Sequence, residues 1–302
     1  MRVAALSLRE LKTELTENYV TGLTELLEEL QVELAVLPSY TAFLLWIGAG
    51  YLRRPCGFLQ GLKLFMQEAC EWNQHFLGLH SDLARENGLY LVAGTTVEEE
   101  GGLFYQTAYC FNPKGELCGK QRQTHLSREE RALGFSRGEE LCLVDLVGLK
   151  MGLIVGTDAR HSEIGRILAL EGAALVAHTG ALVDGLESKT QLAGIWAQVQ
   201  QNQFWAVEAQ LNGTICERSF QGQCAIIGPC EVTPDLTGYL AQASDENPDA
   251  IAELMEADRQ EIQRSYPLLR LLQPKAYEGL LPELYGSTPG TGIHSSDDKP
   301  NL

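Results

Sequence analysis

Residues 151–163 read Met-Gly-Leu-Ile-Val-Gly-Thr-Asp-Ala-Arg-His-Ser-Glu. The apolar run Leu149–Val155 predicts a strand, Gly156-Thr157-Asp158 a tight turn, and Ser162 the start of a helix. At strand-to-helix turns of this kind many hydrolases lift a serine or cysteine clear of the backbone. Gly156 suits the strained turn because it has no Cβ to clash, but it has no atom with which to attack a substrate. The stretch combines an enzyme-like architecture with a missing nucleophile.

Strand and helix signals alternate on both sides of it. Before it come a strand at Val3–Leu8, a helix at Thr16–Leu30 with Val20, Leu23, Leu26, Leu27 and Leu30 at helical spacing, and a strand at Glu33–Leu37. A long helix, Phe58–Asn87, stops at Asn87-Gly88. Strands follow at Leu89–Thr95, Phe104–Phe111 and Glu116–Gln121, separated by glycine-containing turns. The order then repeats, with strands Leu141–Leu146 and Leu149–Val155, a helix Glu163–Glu171, a strand Ala174–His178 and a helix Ser188–Gln201. Strands Phe204–Ala209 and Cys224–Gly228 and a charged helix, Pro248–Ser265, complete it. Two similar halves without a linker predict one α/β domain over residues 1–280. The tail 287–302, rich in Ser, Pro, Gly, Thr and Asp, is expected to be disordered. The aromatic stretch Tyr40–Gly57 reads as a loop that lines a pocket or subunit contact, or else packs into the core.

With 302 residues and 45% hydrophobic composition, the chain is long enough to bury a core without staples. Its 40 acidic and 23 basic residues give a formal net charge of −17, which argues against nucleic acid and anionic membranes as partners. No stretch approaches the ~20 apolar residues of a membrane span. The apolar run at the N-terminus is too short for a signal peptide. None of the 8 cysteines forms a C-x-x-C pair, so reduced thiols and a cytoplasmic location are expected.

Several segments in the same order resemble the carbon–nitrogen hydrolases of the nitrilase superfamily. That family carries Leu-Pro-Glu after its second strand, where this chain has Leu37-Pro38-Ser39. Its Tyr-Asn-Thr-Ala reads Tyr105-Gln106-Thr107-Ala108, and its Gly-Lys-Tyr-Arg-Lys-Thr-His-Leu reads Gly119-Lys120-Gln121-Arg122-Gln123-Thr124-His125-Leu126. Its Gly-x-x-x-Cys-Tyr-Asp-x-Arg-Phe-Pro-Glu elbow matches Gly152–Glu163. Farther on, Gly172–Val176, Gln201-Asn202, Phe220–Cys224, Arg264, Tyr266-Pro267 and Tyr277 fall where members carry similar residues.

The resemblance implies a four-layer α-β-β-α sandwich and a homodimer or higher homo-oligomer. It also implies a chemistry in which a cysteine attacks an amide or nitrile carbon, a glutamate moves the proton and a lysine stabilises developing charge. Carried over, the base position is Ser39, the lysine position Gln123 and the nucleophile position Gly156. The family's second glutamate falls on Arg131, with Glu129 and Glu130 adjacent. Three replaced reagents point to a pseudoenzyme that binds a small-molecule ligand or a protein partner. The alternatives are a divergent hydrolase whose water is activated by Glu129 or Glu130, and a structural subunit of an active paralogue. Ser39, Gln123, Gly156, Thr157, Asp158 and Glu130 are the pocket candidates.

Other chemistry competes less well. Asp158 and Arg160 read more simply as anchors of the turn, and His125 as a packing histidine. Thr157 has a hydroxyl but no evident base. Cys216, Cys224 or Cys230 would have to enter the pocket from another loop. Asp158, His161 and Glu163 lack a recognisable metal-ligand spacing, so neither a metal nor another cofactor is expected.

Overall fold

Three parallel strands run through the centre of each half of the chain. In the computed structural model, which describes residues 1–8, 16–183 and 191–276, β1 (Arg2–Ala5), β2 (Leu34–Val36) and β3 (Tyr90–Glu100) lie side by side and parallel. Parallel neighbours need long crossover connections, usually helical. Here these are α1 (Thr16–Leu30), between β1 and β2, and α2 (Thr41–Gly48) with α3 (Phe58–Asn87), between β2 and β3. Antiparallel β4 (Leu103–Phe111) and β5 (Leu117–Arg122) extend one side, and β14 (Ala250–Glu253) closes the other.

The second half repeats the plan. β7 (Leu149–Val155), β8 (Leu175–Gly180) and β9 (Trp205–Gln210) are parallel, with β6 (Leu143–Leu146) antiparallel on one side. β12 (Ala225–Ile227) and β13 (Tyr239–Gln242) complete the other side of this sheet. α5 (Ser162–Leu170) crosses from β7 to β8, and α6 (Ala197–Asn202) leads into β9. A separate hairpin, β10 (Asn212–Ile215) and β11 (Arg218–Gln221), follows β9.

Side chains alternate across each strand, so each sheet has two apolar faces to bury. Val3, Ala5, Leu34 and Val36 of the first sheet share one buried cluster with Leu153, Leu175, Ala177, Trp205 and Val207 of the second. On the first sheet's other face, Ala4, Leu6, Ala35 and Leu91 pack with Tyr19, Leu23 and Leu27 of α1 and Phe65, Phe76 and Leu83 of α3. The second sheet is covered by α5, whose Leu168 approaches so closely that a side chain on Gly152 would meet it at 2.7 Å. The result is the four-layer α-β-β-α sandwich.

Two sequence expectations need correction, and others fall outside the described residues. Tyr40–Gly57 is not simply a loop, because Thr41–Gly48 forms α2, which buries Phe43, Leu45 and Trp46. An almost wholly apolar helix has no polar face to give a periodic signal. The helix expected from Pro248 begins at Glu256 as α7 (Glu256–Ser265), since residues 250–253 pair with β1 instead. The expected helix start at Ser188, Tyr277 and the tail 287–302 lie outside the described residues. By its internal contacts the chain divides at Ser265/Tyr266; beyond that point the described residues form two short 3-10 turns, Leu268–Leu271 and Pro274–Ala276.

Candidate functional site

Ser39, Gln123 and Gly156 stand just beyond the C-terminal ends of β2, β5 and β7. The crevice outside the carboxyl ends of parallel strands is where open α/β sheets bind ligands. There the chain lines a cavity of about 300 Å³. Its polar surface includes Ser39, Glu130, Gly156, Thr157, Arg160, His178 and Glu208, and its apolar surface includes Tyr40, Phe58, Leu62 and Phe220.

At the elbow, Gly156 has φ of +52°, a left-handed conformation that costs an L-residue roughly 1–2 kcal/mol. Gln123 fills the space in front of it. Its Nε2 lies 2.8 Å from the His125 carbonyl, 2.8 Å from Thr157 Oγ1 and 3.0 Å from Glu130 Oε2. These three oxygens fix which end of the amide is nitrogen. The Gln123 oxygen Oε1 is buried without a hydrogen-bond partner and lies 3.0 Å from where a side chain on Gly156 would begin. Gln123 is completely buried, in the wall behind the cavity. Ser39 is also buried, and its hydroxyl donates to the Thr179 carbonyl at 2.9 Å.

The carboxylate facing Gln123 is Glu130, not Arg131. Arg131 is exposed, one position on along α4 (Arg128–Leu133). Counting back from Gly138, Arg131 stands seven residues away and the inward-facing Glu130 eight. Glu130 is held by a capping box: the Ser127 backbone N–H donates to Oε2 at 2.6 Å and the Glu130 N–H donates to Ser127 Oγ at 3.2 Å. Burial pushes the Glu130 carboxyl above its ordinary range. Asp158 pushes the same way, and the hydrogen bonds from Ser127 and Gln123 offset this only in part.

Asp158 sits outside the cavity and anchors the turn. It accepts from the Thr124 N–H at 2.9 Å, the Thr124 hydroxyl at 2.8 Å and the His125 N–H at 2.6 Å, tying the end of β5 to the elbow. Thr157 donates its hydroxyl to the His125 carbonyl, so no base is in place to activate it. Arg160 is exposed at the cavity's edge. The His125 and His161 rings stack with centroids 3.7 Å apart. None of Cys216, Cys224 and Cys230 lines the cavity. Cys224 is buried against the Gln210 backbone, and burial drives its thiol far upward. Among the described residues no group of three or more His, Cys, Asp or Glu is placed to hold a metal ion, and no helix is long and apolar enough to cross a membrane.

Two features of the cavity were missed in the sequence. His178 and Glu208 are register partners on β8 and β9 and form a buried pair, Nδ1 to Oε1 3.2 Å. His178 Nε2 lies 3.1 Å from the Gly156 carbonyl, while Glu208 also accepts from Gln191 at 2.9 Å and Gln210 at 2.8 Å. Acceptor oxygens thus stand at both ring nitrogens of His178. A histidine and a glutamate, each inside an apolar strand run, were the available signal. At the rim, Arg218 grips Glu129 with two hydrogen bonds of 2.7 and 2.9 Å and lies 5.0 Å over the Phe58 ring.

Comparison with known proteins agrees with this architecture. Residues 2–232 match the family model for carbon-nitrogen hydrolase. An omega-amidase of Xenopus laevis is 32% identical over 129 residues, 40% of this chain and 47% of that protein. A nitrilase of Pyrococcus abyssi is 38% identical over 103 residues, 34% of this chain and 38% of that protein. The chain thus spans less than half the length of these curated relatives. A carbon–nitrogen hydrolase from Helicobacter pylori superposes with a TM-score of 0.72 at 21% identity, covering 93% of this chain and 97% of that one. A mutant amidase from a Nesterenkonia species, with the acetamide moiety of fluoroacetamide added covalently at its active site cysteine, superposes with a TM-score of 0.66 at 21% identity, covering 90% and 97%. The chain belongs to the carbon–nitrogen hydrolase family.

Proposed function

We propose that this chain keeps the family's cavity as a binding site for a small polar ligand and does not carry out thiol-based hydrolysis there. The observation that carries the reading is the occupancy of the elbow. Gly156 offers no nucleophile, and the neutral Gln123 amide stands within 3.0 Å of where a side chain on Gly156 would begin. Ser39 supplies no carboxylate base, and its hydroxyl is already committed to Thr179. Losing the nucleophile of a cooperative set leaves only binding and dipole effects, orders of magnitude below the intact reaction. The cavity still offers recognition chemistry: the Glu130 carboxyl and the Arg160 guanidinium line one space with apolar walls. A ligand with a hydrogen-bond donor at one end and an anionic group at the other fits these two groups. Exposed Ile167 and Leu170 on α5 support a homodimer or larger homo-oligomer that covers this helix, checked by light scattering.

The test restores the three reagents. The combined variant Ser39→Glu, Gln123→Lys, Gly156→Cys is expected to gain amide hydrolysis over the parent protein. Hydrolysis by the parent at the level of the restored variant overturns the reading.

A second reading rests on Glu130. A cavity carboxyl raised by burial is suited to general acid–base work near neutral pH. It would activate water directly against an amide or nitrile carbon. Hydrolysis by the parent protein that is lost in Glu130→Gln favours this reading; its absence in both removes it.

A further inference from the structure

Two thiols meet beside the cavity, outside its lining. Cys56 stands two residues before the start of α3, whose Phe58 and Leu59 line the cavity. Cys216 lies in the turn between β10 and β11, with φ of 45° and Glu217 at 66°, and Arg218 and Phe220 of β11 line the cavity and pack on Phe58. Both sulfurs converge on Gly61: Cys216 Sγ lies 3.4 Å and Cys56 Sγ 3.5 Å from the point where a side chain on Gly61 would begin. Cys56 lies close enough to raise the Cys216 thiol, and both residues are partly exposed. A second close pair, Cys110 and Cys118 with sulfurs 3.7 Å apart, differs in access, because Cys110 is completely buried.

We propose that Cys56 and Cys216 form a dithiol modification site, which a small-molecule disulfide of the glutathione type converts into a disulfide linking the segment before α3 to the β10–β11 turn. In the first step the Cys56 thiolate attacks one sulfur of the reagent, its S–S bond breaks, and one glutathione leaves and takes up the Cys56 proton. In the second step the Cys216 sulfur loses its proton and attacks Cys56 Sγ. The protein disulfide forms and a second glutathione leaves with that proton. Two protein thiols are oxidised and one reagent disulfide is reduced. Burial, aided by Cys56 and Glu217, pushes the Cys216 thiol up to about 11, which makes it the poorer first attacker and the resolving partner. The bridge fastens the β10–β11 hairpin to the start of α3. This inference does not depend on what the cavity binds.

The full chain is incubated with glutathione disulfide, remaining thiols are alkylated with iodoacetamide, and peptides are mapped by mass spectrometry. The expected result is a cross-linked Cys56–Cys216 peptide, with slowed hydrogen exchange across residues 212–221. Cys56→Ser and Cys216→Ser each abolish the bridge. Phenylarsine oxide, which spans two thiols, is expected to bind the parent protein and to lose tight binding in either variant. Alkylation of both Cys56 and Cys216 in the treated parent, or a cross-link at Cys110–Cys118 instead, overturns the proposal. Equal arsenical binding by the parent and the single variants does so as well.

Discussion

Gln123 Oε1 and Gly156 are matched: the glutamine oxygen occupies the approach to the glycine at a distance that leaves no slack for a side chain. Gly156→Ala therefore meets two costs, the left-handed backbone and the contact with Gln123. The expected destabilisation is about 1–3 kcal/mol, measured by urea denaturation. In Gln123→Ala the crowding is gone, so adding Gly156→Ala to that background is expected to cost less than it does in the parent. Equal costs in the two backgrounds would mean that the residues are not coupled.

The pair of His178 and Glu208 is buried on both sides, with side-chain exposures of 4% and 3%. Removing one partner leaves a buried polar group of the other without its hydrogen bond, so Glu208→Gln and His178→Ala are each expected to destabilise the protein by about 1–3 kcal/mol. Denaturation midpoints check this. The double variant is expected to be less destabilised than the sum of the single variants, because no orphaned partner is left.

Glu130 predicts a pH dependence of definite sign. Its folded-state pKa is raised above the unfolded value, so the protonated form is the one favoured in the fold. Its contribution is fully present below the ordinary carboxylate range and is lost as pH rises through the raised value. Glu130→Gln keeps a capping-box side chain opposite Ser127 and cannot ionise. Stability measured across this window is expected to fall with pH in the parent and to fall less in the variant. Parallel curves would show that Glu130 is not the titrating group.

Much of this was legible in the sequence, for identifiable reasons. The strand, glycine turn and helix around Gly156 carried strong local signals, as did the long amphipathic helix ending at Gly88, whose left-handed φ of 63° caps α3. α2 was obscured because a helix buried on nearly all sides lacks a 3.6-residue alternation. The strand 250–253 was read as helix because its pairing with β1 joins opposite ends of the sequence. At the site, the positions of Ser39, Gln123 and Gly156 could be placed from local motifs. The link between Gln123 and Glu130 could not, since a count along the chain does not show which of three consecutive side chains turns inward. His178 and Glu208 meet only through the parallel register of β8 and β9, a tertiary fact.

The most direct test of the central claim is amide turnover by the purified parent protein, measured beside Ser39→Trp and with mass spectrometry of the elbow peptide after fluoroacetamide treatment. The account predicts no hydrolysis above the uncatalysed rate, no difference between parent and Ser39→Trp, and no adduct on residues 149–163. Sustained turnover by the parent that Ser39→Trp abolishes would contradict it.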